Sequence, residues 1–121
     1  MKMSNLIEKY PSFFPEGFTF ECGDGWYDIL DHFFKMLTFQ HLEVYMTQIK
    51  EKYGDLRIYV GFAEDMISNN MIEQLIKEAE RASRNTCELC GNPGSINKRH
   101  GWYRCRCRHC NIMDKFAEVI R

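Results

Sequence analysis

At 121 residues the chain has room for one compact domain, or for a body of about 80 residues with a small appendage, and two large independent domains are excluded. Its composition, 45% hydrophobic with nine Phe, excludes a disordered chain, and the lack of a signal peptide or of any apolar run of about 18 residues predicts a soluble cytoplasmic protein. The formal charge of -1 conceals a division: residues 1–80 carry 7 Lys and Arg against 14 Asp and Glu, and residues 81–121 carry 9 against 3.

Residues 3–10 suit a short amphipathic helix with Ile7 and Tyr10 on one side, ending at Pro11 because the residue before a proline avoids the helical region. The segment PSFFPEGFTF reads as an extended lead-in between two prolines. From Asp24 the spacing turns helical: Trp26, Leu30, Phe33 and Leu37, with Ile29 and Phe34 beside them, recur every three or four residues. Asp24 is the expected N-cap, with Asp28 near the positive end of the helix dipole.

Residues 41–62 predict a β-hairpin. Leu42, Val44 and Met46 alternate, as do Leu56, Ile58 and Val60, around a turn near Tyr53, Gly54 and Asp55 where Gly54 can adopt positive φ. Residues 63–84 predict the longest helix, with Ile67, Met71, Leu75, Ala79 and Ala82 as its buried stripe and Ile72 and Ile76 widening it. After Asn85 the periodicity stops. A short helix is expected from Ile112 to Ile120, with Phe116, Val119 and Ile120 available to pack back.

Five of the six cysteines lie between Cys87 and Cys110, in CELCGNPGSINKRHGWYRCRCRHC. Thiols of the cytosol stay reduced, so metal ligation is the first expectation. Cys87 with Cys90, and Cys107 with Cys110, form two C-x-x-C pairs sixteen residues apart. Two thiolates three positions apart on a tight turn can reach one ion, and two such turns close a tetrahedral Zn2+ site of the zinc-ribbon kind. Gly91 and Asn111 follow the two pairs and tolerate the left-handed conformation that ends such a knuckle. Cys105, His100 and His109 are competing ligands; as a spare thiol, Cys105 is either activated by Arg104 and Arg106 or buried and inert. Four protein ligands leave no open metal position, so the ion should hold the fold rather than do chemistry.

Lys98, Arg99, Arg104, Arg106 and Arg108 form a basic run that encloses Trp102 and Tyr103. Such a surface can contact phosphates through its cations and stack a base on an aromatic ring. The alternative is that Trp102 covers the knuckle as core and the arginines are a solvated face. At the front of the chain, Cys22 could act as a nucleophile if His32 or His41 came within reach, although a lone cysteine is more often a small buried hydrophobe. Glu21, Asp24, Asp28 and Asp31 could build a magnesium or calcium site, or simply form a solvated helix face. Asp24, Asp28 and Asp31 could also dock a basic partner.

CGDGW opening a helix, then IKEKYGDLRIYV, then CELCGNPG with a final C-x-x-C after GWYRC, resembles a family of small bacteriophage and prophage proteins. Those proteins carry CGDGW, a KEKFGGLRFY-like segment and CExCGxPG in that order, and the likeness covers roughly residues 20–110. The resemblance implies zinc ligation by Cys87, Cys90, Cys107 and Cys110 and names no reaction. The chain departs from the pattern at Asp55, where a second glycine is usual, and at the additional Cys105.

The expected architecture is α+β: an acidic helix, β-hairpin and helix body over residues 1–84, and a basic zinc ribbon with a terminal helix over residues 85–121, which could share one core. The expected function is non-enzymatic: a phage-type accessory protein of the bacterial cytoplasm that binds nucleic acid, or a nucleic-acid-associated machine, through the ribbon. No membrane or small-molecule substrate is expected. The alternative is an inhibitor of a host defence protein that docks through the acidic body. A third, enzymatic, reading requires Cys22 or Cys105 to react with an electrophile.

Overall fold

The computed structural model describes residues 2–61, 63 and 65–113, and shows an α+β fold of helices and two antiparallel hairpins. Helix α1 (Asn5–Lys9) ends at Tyr10, whose φ of -131° leaves the helical region ahead of Pro11. Leu6 is its fully buried residue, with Ile7 and Tyr10 packed at the margin of the core. The expected extended lead-in is instead a 3-10 turn at Pro11–Phe13 followed by irregular chain. Its rings decide that shape: Phe13 and Phe14 stack or tilt against Phe34 at 5.6 and 5.0 Å between centroids, and Phe18 and Phe20 pack on Phe14.

Asp24–Trp26 form a second 3-10 turn, and α2 (Tyr27–Phe39) follows without a side-chain cap. The expected cap at Asp24 is therefore corrected: its carboxylate accepts the N–H of Met3 at 2.8 Å and ties α1 to the start of α2. The predicted inner face of α2 is the one observed, with Trp26, Leu30, Phe33, Phe34 and Leu37 all buried.

Strands β1 (Met46–Lys52) and β2 (Asp55–Val60) pair antiparallel, with Lys52 opposite Asp55. Tyr53 and Gly54 make the two-residue turn at φ 56° and 82°, the type I′ signature that matches the twist of paired strands. Leu42 and Val44 are buried but precede the strand, because the Leu42 N–H still bonds Leu37 O at 2.9 Å in finishing α2. Backbone bonds from Glu21 to Ile49 and Glu51 cover the outer edge of β1. On β2, the N–H groups of Leu56 and Ile58 donate to Ser83 Oγ and Glu80 Oε2, both at 3.1 Å. Covering both edges removes the pairing template that an open hairpin presents.

Helix α3 (Met66–Ser83) is capped by Asp65, which accepts the Ser68 N–H at 2.7 Å. Its buried face is Ile72, Leu75, Ala79 and Ser83, whereas Ile67 and Met71 are exposed, as is Ala82. The predicted stripe is corrected for a geometric reason: a strict four-residue step drifts about 40° per step around a 3.6-residue helix, so one face cannot hold it.

The chain then forms β3 (Ser95–Arg99) and β4 (Trp102–Arg106), again joined by a two-residue turn at positive φ, His100 and Gly101. Residues 108–113 are helical. The terminal helix thus starts four residues ahead of the expected Ile112, because the Asn111 N–H bonds Cys107 O at 3.0 Å and runs the second knuckle straight into it. Residues 114–120, including Phe116, Val119 and Ile120, lie outside the described residues. Cys105 of β4 belongs to the same hydrophobic cluster as α2, β1 and β2.

Candidate metal centre

The sulfur atoms of Cys87, Cys90, Cys107 and Cys110 all lie within 4.8 Å of one another. Cys90 and Cys107 are 3.6 Å apart, too far for a disulfide. That distance fits the edge, about 3.8 Å, of a thiolate tetrahedron with metal–sulfur bonds of about 2.3 Å. The cluster can hold a metal ion, and it contains neither Cys105 nor a histidine.

Local backbone geometry explains how each pair reaches inward. The Gly91 N–H bonds Cys87 O at 2.9 Å with Gly91 at φ 82°, closing the first knuckle. In the second, the Cys110 N–H points at Cys107 Sγ at 3.4 Å. Burial opposes ionisation of Cys87, but N–H groups of Cys107, Cys90 and Leu89 outweigh it and bring its thiol down to about 6. Cys110 is pushed up to about 12 by burial and then by hydrogen bonding with Cys107, Cys87 and Cys90. Four sulfurs this close cannot all ionise unaided; a divalent cation removes the conflict.

Cys105 faces the other way. It is fully buried, with Sγ 3.1 Å from Thr86 O and 3.2 Å from Ser83 O, so it donates to carbonyls at the end of α3. Burial raises its pKa, which makes it the inert member of the two alternatives rather than an activated thiol.

Sixty residues away in sequence, CGDGW forms the cradle of the first knuckle. Gly25 N–H bonds Glu88 O at 2.7 Å, Gly23 N–H bonds Glu88 Oε2 at 2.8 Å, and Trp26 Nε1 bonds Thr86 O at 2.9 Å. Both glycines are required by contact: a Cβ on Gly23 would stand 2.5 Å from Glu88 O, and one on Gly25 would stand 2.5 Å from the Glu88 carbonyl carbon. The β1–β2 turn reaches the same region, where Gly54 backs onto Ile96 and the backbone of Arg104. Glu88 binds Arg106 at 3.1 Å with both side chains nearly buried. CGDGW therefore packs against the first knuckle and the β1–β2 turn against the β3–β4 hairpin, and Glu88, absent from the sequence-derived site, links CGDGW to β4.

The predicted basic surface is divided by strand alternation. Trp102, Arg104 and Arg106 share one face of β4, while Tyr103 and Cys105 share the other, with Lys98 opposite Tyr103. Arg106, expected as a phosphate contact, is engaged in the ion pair with Glu88. Trp102 is 70% exposed, which removes the reading of it as knuckle core. Lys98 and Arg108 are exposed and Arg104 is half-buried; the backbone of Arg99 pairs with that of Trp102 beside the turn.

The acidic residues of α2 do not converge as a cation site; among the described residues, the four cysteines are the group whose ligand atoms come together. Asp24 holds Met3, and Asp31 binds Lys9 Nζ and Tyr10 Oη, each at 2.8 Å. Only Asp28 of the expected docking trio lines the groove of about 350 Å³ between α2 and α3, together with Glu78, His32, Ile29 and Leu75. Cys22 is half-buried, and burial followed by the charges of Glu88, Asp24, Glu21 and Glu51 pushes its thiol up to about 12, which suppresses the nucleophilic thiolate. Among the described residues no helix is long and apolar enough to cross a membrane. No model of a protein family, no curated protein and no solved structure matches the chain.

Proposed function

We propose that the chain is a non-enzymatic, phage-type accessory protein in which Zn2+ held by Cys87, Cys90, Cys107 and Cys110 fixes a ribbon that binds nucleic acid. The observation that carries this reading is the exposure of Trp102, 70% in water at the start of β4, on the strand face it shares with Arg104, in a ribbon that carries exposed Lys98 on its other face and exposed Arg108 just beyond β4. An exposed indole on a basic ribbon offers stacking to a base, and the cations of the ribbon offer charge to its phosphates. Four thiolate ligands would leave zinc no open position, which favours a structural metal.

The test is binding of a fluorescein-labelled oligonucleotide by anisotropy, at about 50 and 200 mM salt, with the zinc-loaded chain. Replacing Lys98 and Arg108 together by Glu is expected to weaken binding about tenfold or more and to flatten its salt dependence. Unchanged affinity at both salt concentrations refutes the ribbon interface. A second reading, docking of a basic host defence protein, is favoured by the apolar groove with Asp28 and Glu78 in its lining. It predicts that Asp28→Lys with Glu78→Lys releases a co-purifying host protein and leaves oligonucleotide binding intact.

A further inference from the structure

We infer that Tyr53, at the tip of the β1–β2 hairpin, is a base-stacking platform for single-stranded nucleic acid, with Lys52 and Lys98 beside it as the phosphate contacts. This deepens the ribbon reading and rests on it, but it adds a second hairpin and selects a single strand.

Tyr53 sits at φ 56°, a conformation that Asn and Gly tolerate and a bulky aromatic rarely adopts. The two-residue turn it occupies is one that ordinarily takes Asn before the Gly. A core contact would explain the exception, yet Tyr53 is 66% exposed. Its ring meets Tyr103 edge-on, 6.4 Å between centroids at 87°, and Tyr103 is itself 41% exposed. Lys52 Nζ lies over the Tyr53 ring, 5.7 Å from its centroid, and Lys98 Nζ lies over the Tyr103 ring, 5.4 Å from its centroid. Gly54, packed on Ile96 and Arg104, fixes the tip against the ribbon, so the four side chains form one surface across two hairpins.

A residue that breaks a local conformational preference without being buried points to a ligand contact. An exposed ring with an ammonium group already over it suits an unstacked base on its remaining surface, with the adjoining phosphates on the lysines. A duplex keeps its bases stacked on one another and offers this ring no free face, so the surface selects single strands.

The experiment uses the zinc-loaded full chain and labelled oligothymidylate and oligouridylate of about 12 nucleotides, followed by anisotropy. Tyr53→Asn keeps the turn and removes the ring; it should retain or raise the thermal midpoint while binding about tenfold more weakly. Tyr53→Trp should bind at least as well as the parent. Lys52→Ala with Lys98→Ala should lower the salt slope by about 1.4, since each single-strand phosphate that a lysine neutralises contributes about 0.7. Parental affinity in a folded Tyr53→Asn protein, or equal affinity for a duplex, overturns the inference and leaves the ribbon reading standing. No binding of either single strand by a parent that binds a duplex overturns the inference alone, and no binding of single strand or duplex overturns both.

Discussion

Replacing Glu88 by Ala is the sharpest test of how the metal knuckle is held. The carboxylate accepts from Gly23 N at 2.8 Å and from Arg106 at 3.1 Å, and the Glu88 and Arg106 side chains are 12% and 11% exposed. Removing one partner of a fully buried ion pair costs about 3–5 kcal/mol, and the slight exposure here places the pair near the lower end. The Gly23 N–H also loses its acceptor, worth about 1 kcal/mol. The expected loss is about 3–4 kcal/mol, or a fall of about 12–16 °C in the thermal midpoint for a chain of this size. Urea unfolding of the metal-loaded protein, followed by the fluorescence of buried Trp26, measures it, with metal release to a chromophoric chelator as a second readout. Glu88→Gln keeps an acceptor for Gly23 and should cost about half as much. Glu88→Ala with Arg106→Met should recover most of the loss, since apolar replacement of a buried pair is often neutral. A Glu88→Ala protein within about 0.5 kcal/mol of the parent, the usual range of an inconsequential surface change, refutes the linking role.

Gly25→Ala sets a methyl group into the backbone of residues 87 and 88 and should cost more than about 2 kcal/mol in urea unfolding, whereas Gly61→Ala, with open space around it, should cost under about 0.5 kcal/mol. Metal analysis should find one ion per chain in Cys105→Ser, and none retained at stoichiometry when Cys87, Cys90, Cys107 or Cys110 is changed to Ser. Iodoacetamide near neutral pH should leave Cys22 and Cys105 unmodified in the folded, metal-loaded chain; rapid labelling of either would revive a thiol chemistry. Burial acts to raise the Asp31 pKa, but hydrogen bonds from Lys9 and Tyr10 outweigh it and hold the carboxyl below its ordinary value. A lowered folded pKa contributes stability that is present above about pH 4 and is lost as pH falls through the folded value. The stability difference between the parent and Asp31→Asn should therefore shrink from about pH 6 toward pH 2.5, and a constant difference would refute the assignment.

Local chemistry alone determined several features of this protein. Pro11 ended α1, the three-and-four spacing from Trp26 to Leu37 defined the inner face of α2, and Gly54 marked the hairpin turn. The paired C-x-x-C spacing identified the four converging sulfurs, because chelation geometry is local to each knuckle. Long-range contact decided the rest. The stripe of α3 followed the core presented by β2 and α2 rather than a regular four-residue step, and Asp24 was drawn away from its helix by Met3. Arg106 looked like one cation among five until the fold set Glu88 beside it as an ion-pair partner. The two glycines of CGDGW have a purpose that the sequence does not show: they leave room for a backbone some sixty residues later. A steric requirement of that kind belongs to the pair of segments, so only their meeting in the folded chain reveals it.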